Sequence, residues 1–113
     1  MIPYEIMMYY TYILKSQKNG RMYTGYTVDL RKRFKEHTEG KSTYTKHRGP
    51  YKLIYYEACL NEEDAKAREK YLKSGRGKRY IRFRLKRFLF RTGSYKFFDN
   101  ILGTAPIGDI IGS

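Results

Sequence analysis

The chain has 113 residues, the size of one domain, and carries 24 Lys and Arg against 11 Asp and Glu, a net charge of +13. That length holds one core with a site on one of its faces, and excludes a large substrate pocket joined to a separate cofactor domain. So large a charge repels itself in the folded state and is kept for a polyanionic partner, nucleic acid first and an anionic membrane surface second.

Thirteen Tyr and six Phe, with no Trp, favour nucleic acid of the two. Aromatic rings stack on bases while cations meet phosphates. Cys59 is the one cysteine, so an intrachain disulfide and a Cys/His metal cluster are both excluded, which fits a reducing cytoplasm. The opening MIPYEIMMYY has an early acid, no basic segment and no small-residue cleavage site, and does not read as a signal peptide. No apolar run approaches the roughly 20 residues that cross a bilayer, and because the core uses up the apolar stripes a membrane-surface role ranks third and no membrane partner is expected.

Residues 9–15 (YYTYILK) are rich in β-formers and read as a strand. Asn19-Gly20 is a hairpin signal, and residues 22–27 (MYTGYT) form the returning strand. An even number of loop residues would place Tyr12 and Tyr23 on one sheet face, because side chains alternate with period two. Residues 28–39 read as a helix that begins near Thr27 or Asp29 and stops at Gly40, with Leu30 and Phe34 as its buried stripe. A basic loop spans residues 40–50, and residues 51–58 (YKLIYYEA) are a third strand. Asn61 caps a second helix that stops at Gly75. Residues 78–91 read as a third helix, with Ile81, Leu85, Phe88 and Leu89 as its apolar stripe and Arg79, Arg82 and Lys86 on another face. Residues 76–91 carry eight Lys and Arg and no acid, the pattern of a phosphate track. The order β-β-α-β-α-α implies an α+β fold, a small three-stranded antiparallel sheet flanked by helices. Residues 92–113 change character, with one Lys, two Asp and four Gly, and read as a tail.

Three groups of side chains could carry chemistry. Glu69 shares a helix face with Ala65 and Leu72, and a carboxylate on an inward face needs either a basic partner or a cation. Arg33 and His37 stand one turn apart beside the Leu30–Phe34 stripe, as a phosphate clamp or as ordinary surface charges. Tyr12 and Tyr23 are core tyrosines or, with cations lowering a phenol's pKa, a base.

Taken in order, YTY at residues 10–12 and YTG at residues 23–25 resemble the paired motif of the GIY-YIG nucleases. Arg33 within DLRKRF, His37 within KEH and Glu69 within AKAREKYLK stand where that family has its arginine, a frequent histidine and its metal-binding glutamate. The resemblance covers residues 8–91, and KSTYTKHRGPYKLIYYEA is similar to the small stand-alone bacterial branch, related to the excinuclease branch of the family. It departs from the family at three points. The first motif lacks its glycine and isoleucine, no Asn follows Glu69 by about three turns, and Tyr26 stands where the excinuclease branch has a lysine, for which Lys15 or Lys46 could substitute.

The resemblance implies a nuclease domain over residues 1–91 that hydrolyses phosphodiesters in DNA with Mg2+ or Mn2+, in a repair or recombination setting. Tyr12 would be the base, Tyr23 would position the water, Arg33 would offset charge on phosphorus, His37 would relay a proton and Glu69 would hold the metal. Gly25 would let DNA come close, and Lys15, Lys46, Arg48, Arg79, Arg82 and Lys86 would follow its backbone. With no second domain in view, specificity comes from DNA shape or from a protein partner, and a monomer is the favoured state. The alternative is a nucleic-acid-binding module, for DNA or structured RNA, that keeps the fold without the activity.

Overall fold

The structure, a computed structural model, describes residues 7–41 and 46–91. Its elements run β1 (Tyr9–Ser16), β2 (Met22–Thr27), α1 (Leu30–Thr38), β3 (Tyr51–Cys59), α2 (Glu62–Lys73), α3 (Gly75–Arg84) and α4 (Lys86–Arg91). The strands make one antiparallel sheet in the order β2-β1-β3 with flanking helices, the α+β architecture expected from the element order. The chain clusters into two compact units, one through Tyr71 and one from Leu72.

In the first unit the hairpin closes at Asn19-Gly20, with Gly20 at φ 75°. The Ser16 N–H donates to the Arg21 carbonyl at 2.8 Å, and the Ser16 hydroxyl oxygen accepts from the N–H groups of Lys18 and Asn19. Tyr12 pairs with Gly25 and Leu14 with Tyr23, so Tyr12 and Tyr23 share a face. On the other side of β1, Tyr12 pairs with Tyr56, and the register slips by one residue between Ile13 and Leu14.

Asp29 starts α1: its carboxylate accepts from the Lys32 N–H at 3.1 Å. Gly40, at φ 74°, ends it, and the Lys41 N–H reaches back to the Glu36 carbonyl at 2.9 Å. The helix lays Leu30 and Phe34 against a buried cluster of Tyr12, Leu14 and Tyr51. The opposite sheet face carries Thr11, whose hydroxyl donates to the Ala65 carbonyl of α2 at 3.0 Å. Asn61 caps α2, accepting from the N–H groups of Glu63 and Asp64.

In the second unit Leu72, Ile81 and Leu89 are buried. Here the chain departs from the expected helices in two ways. Gly75 does not end a helix but begins α3, because the Ser74 hydroxyl caps it by accepting from the Gly77 N–H at 3.2 Å. The expected single helix over residues 78–91 is two, since Leu85 leaves helical geometry (φ −108°, ψ 21°) and closes α3. The proposed tail, residues 92–113, lies outside the described residues.

Gly25 gives this fold its most specific steric requirement. A Cβ added there would stand 2.5 Å from Cζ of Tyr12, inside any permitted contact. Gly25→Ala is therefore expected to lower stability by about 1–3 kcal/mol, the usual cost of overpacking a core. Urea unfolding checks this, and an unchanged midpoint would show that the Tyr12 ring does not depend on the gap.

Candidate active site

Tyr12 lies on the central strand and is 1% exposed. Its ring fills the space over Gly25, which points its hydroxyl toward the last turn of α1. There it meets Nε2 of His37 at 2.8 Å. His37 is itself 2% exposed, although it carries a polar ring on a largely exposed helix. Tyr23 completes the group: its ring centroid is 5.2 Å from that of His37, edge-on, and 6.4 Å from that of Tyr12. Arg33, one turn before His37, lies near enough to the Tyr12 hydroxyl for its charge to lower the phenol's pKa, and pairs with Glu36 at 3.1 Å.

The protonation states follow from this packing. Burial pushes the Tyr12 phenol up to about 12, the nearby Tyr23 and Glu69 act in the same direction, and Arg33 opposes them. Burial pulls His37 down to about 4, and the Arg33 charge adds to that pull while Glu36 resists it. At neutral pH the pair is thus a neutral phenol and a neutral imidazole, and the tautomer with its proton on Nδ1 leaves Nε2 to accept from the phenol. Burial disfavours the charge on Arg33, and the neighbouring Glu36 and Tyr12 overcome that. The expectation that surrounding cations lower the phenol's pKa is corrected here, because desolvation is local and outweighs distant charge.

Glu69 is half-buried on α2 and acts electrostatically on Tyr12. Among the described residues no three His, Cys, Asp or Glu side chains are grouped to hold a metal ion. A lone carboxylate does not fit a structural zinc site. It does fit a hard cation such as Mg2+ or Mn2+, which keeps several waters and takes phosphate oxygens as its other ligands.

The remaining sequence candidates divide. Arg48 is exposed and lines a small cavity with Tyr23, so it stands beside that tyrosine. Lys46 is exposed in the same turn, next to a cavity of about 330 Å³ lined by His37, Thr38, Gly40, His47, Gly49 and Pro50. Lys15 is a correction: strand alternation turns it to the sheet face opposite Tyr12 and Tyr23. Gly25 is another. It is buried beneath the Tyr12 ring and makes room for that ring, not for DNA. Tyr26, where the excinuclease branch has a lysine, also faces away and donates its hydroxyl to Glu62. In the second unit Arg79 is exposed and Arg82 and Lys86 are both half-buried, and Arg82 donates to its own helix at the Lys78 carbonyl, 3.2 Å away. Arg82 is therefore a weaker phosphate contact than helical spacing implies. Glu36, the partner of Arg33, was missed as a site residue, and its i+3 spacing was the available signal.

A family model described as the GIY-YIG catalytic domain matches residues 8–82. The chain belongs to this family. A UPF0213 protein of Clostridium perfringens is 48% identical over 67 residues, which take in 58% of this chain and 71% of that one. A UPF0213 protein of Halalkalibacterium halodurans is 45% identical over 60 residues, 52% of this chain and 63% of its own, so less than two thirds of that relative is spanned. The solution NMR structure of a UPF0213 protein from Bacillus halodurans aligns with a TM-score of 0.43 at 40% identity, covering 66% of this chain and 82% of that one. These relatives form the small stand-alone branch of the GIY-YIG family. Among the described residues no helix is long and apolar enough to cross a membrane.

The His37 environment sets a pH dependence. The imidazole titrates near 6.5 when unfolded and at about 4 when folded, so between those values the unfolded chain binds more protons. Stability is then highest above about 6.5 and falls as the pH drops toward 4, by up to about 3 kcal/mol from this group. His47→Asn leaves one imidazole, whose NMR signals should titrate with a midpoint near pH 4. A midpoint near 6.5 would show that His37 is not desolvated.

Proposed function

We propose that this chain is a metal-dependent endonuclease that hydrolyses phosphodiester bonds in DNA. The reading rests on one observation: a buried tyrosine hydroxyl hydrogen-bonded to a neutral histidine, with an arginine at the same hydroxyl. Few structural requirements call for that combination, and a base that must shed its proton as it takes one from water calls for all of it.

A scissile phosphate approaching Arg33 competes with Glu36 for the guanidinium, and Arg33 then offsets the charge that grows on the phosphoryl oxygens. An anion beside His37 favours the imidazolium, so its basicity rises when substrate is bound. The attacking water gives a proton to the Tyr12 oxygen as the Tyr12 proton passes to Nε2 of His37. The resulting hydroxide attacks phosphorus, and the 3′ oxygen leaves. Tyr23, edge-on to His37, narrows the space in which that water sits. Glu69 would hold the Mg2+ or Mn2+, which when bound supplies Lewis-acid stabilisation of the phosphate and of the leaving oxygen. The +13 charge, with the exposed Lys46, Arg48 and Arg79, supplies affinity for the DNA backbone without regard to sequence. DNA repair or recombination in the cytoplasm is the setting that fits, with DNA shape or a protein partner giving specificity.

A second reading has its own observation. A phenol held at about 12 is a poor resting base, which suits a module that binds nucleic acid without cutting it. One assay separates the two. Single-stranded, duplex, flapped and four-way-junction DNA are incubated with Mg2+, with Mn2+ or with chelator, for wild type and Glu69→Ala. Metal-dependent cleavage that falls at least about a hundredfold in the variant, with DNA binding intact, is the expected result. Binding without cleavage under every metal condition would favour the module.

A further inference from the structure

The sheet face that carries Tyr12 continues beyond it. Tyr10 is two residues earlier on β1, and Tyr56 is the β3 residue paired with Tyr12, so both rings stand on that face. Their centroids are 6.0 Å apart and their planes are tilted by 59°. Tyr56 is 54% exposed, so burial in the core does not account for an aromatic there. Beside the two rings lies a cavity of about 250 Å³, whose other walls are Val28, Asp29, Leu30 and Arg31 at the start of α1. Its lining is thus two phenol rings and two aliphatic side chains, with a carboxylate and a guanidinium as polar groups.

That chemistry suits a flat, aromatic, polar-edged body attached to an anionic backbone. We propose that this cavity takes one unstacked nucleobase of the DNA strand whose neighbouring phosphodiester lies on Tyr12, Arg33 and His37. The inference rests on the nuclease reading and names its substrate class, DNA with an unpaired segment at the point of cutting. Three features support it. Side chains two residues apart on a strand stand about 7 Å apart, so Tyr10 and Tyr12 are spaced on the scale of one nucleotide step. Arg31, at the start of α1, lines the cavity and brings a cation to it. Tyrosine faces hold any base by stacking, while Asp29 and Arg31 can meet the donors and acceptors on its edge. A base inside an intact duplex is stacked on both sides and cannot enter, so the cavity selects against plain duplex.

The test measures binding, in chelator, of a labelled single strand and of the same sequence as a duplex, by fluorescence anisotropy. Tyr56→Ala is expected to weaken single-strand binding by roughly tenfold or more and to leave duplex binding unchanged, while Tyr56→Phe, which keeps the ring, binds as wild type. Tyr56 is a surface residue, so the variant should fold, and circular dichroism checks that it does. Equal single-strand affinity for wild type and Tyr56→Ala, or an equal loss on both DNAs, would overturn the proposal. Wild-type binding to duplex alone would overturn it and leave the nuclease reading standing. Binding to neither DNA would overturn both. Sedimentation showing a dimer that Tyr56→Ala dissolves would instead assign the face to a second copy of the chain.

Discussion

A buried phenol needs a hydrogen-bond partner, and Tyr12 finds one in Nε2 of His37 at 2.8 Å. Much of the first unit answers to that contact. Gly25 must lack a side chain so that the ring can lie across β2. The α1 helix must be seated by Leu30 and Phe34 so that its last turn brings a polar ring into the interior. Arg33 follows from the same seating, because it is one helical turn before His37.

Local burial and global charge pull in opposite directions here. The chain as a whole is strongly cationic, which should favour anions, a phenolate among them. Tyr12 is nevertheless pushed up to about 12 and His37 down to about 4, each toward its neutral form, with burial as the first cause in both. A low-dielectric pocket penalises any charge, whereas most of the chain's cations are solvated and screened. On the proposed nuclease reading, the cationic surface meets the DNA backbone and the Tyr12–His37 pair is an uncharged proton path at the point of chemistry. On that reading the path would become a base when an anionic substrate arrives, which ties the chemistry to occupancy.

Much of this was legible in the sequence, and the residues show why. Asn19-Gly20 announced the hairpin, and period-two alternation then put Tyr12 and Tyr23 on one face. The i, i+4 spacing announced Arg33 and His37 as neighbours, and the Leu30–Phe34 stripe showed which side of the helix is inward. What was hidden depends on contacts across elements. The role of Gly25 follows only from its register opposite Tyr12, and motif order alone suggested close approach of DNA instead. Lys15 was misplaced although the same alternation that united the tyrosines turns it away. The break at Leu85 has no Gly or Pro to mark it, and the apolar stripe runs through it. The sign of the Tyr12 shift was hidden for a further reason: composition counts cations, whereas a pKa answers to burial at one atom.

The account stands or falls on the Tyr12 hydroxyl as the group that passes a proton from water to His37. Tyr12→Phe keeps the ring over Gly25 and removes that oxygen alone. Single-turnover cleavage of a flapped DNA by this variant, in Mg2+ and with substrate saturating, is the most direct measurement. A fall of at least about a hundredfold in the cleavage rate, with DNA affinity unchanged, is what the account predicts. Cleavage at the wild-type rate would contradict it and would return Tyr12 to the role of a core tyrosine.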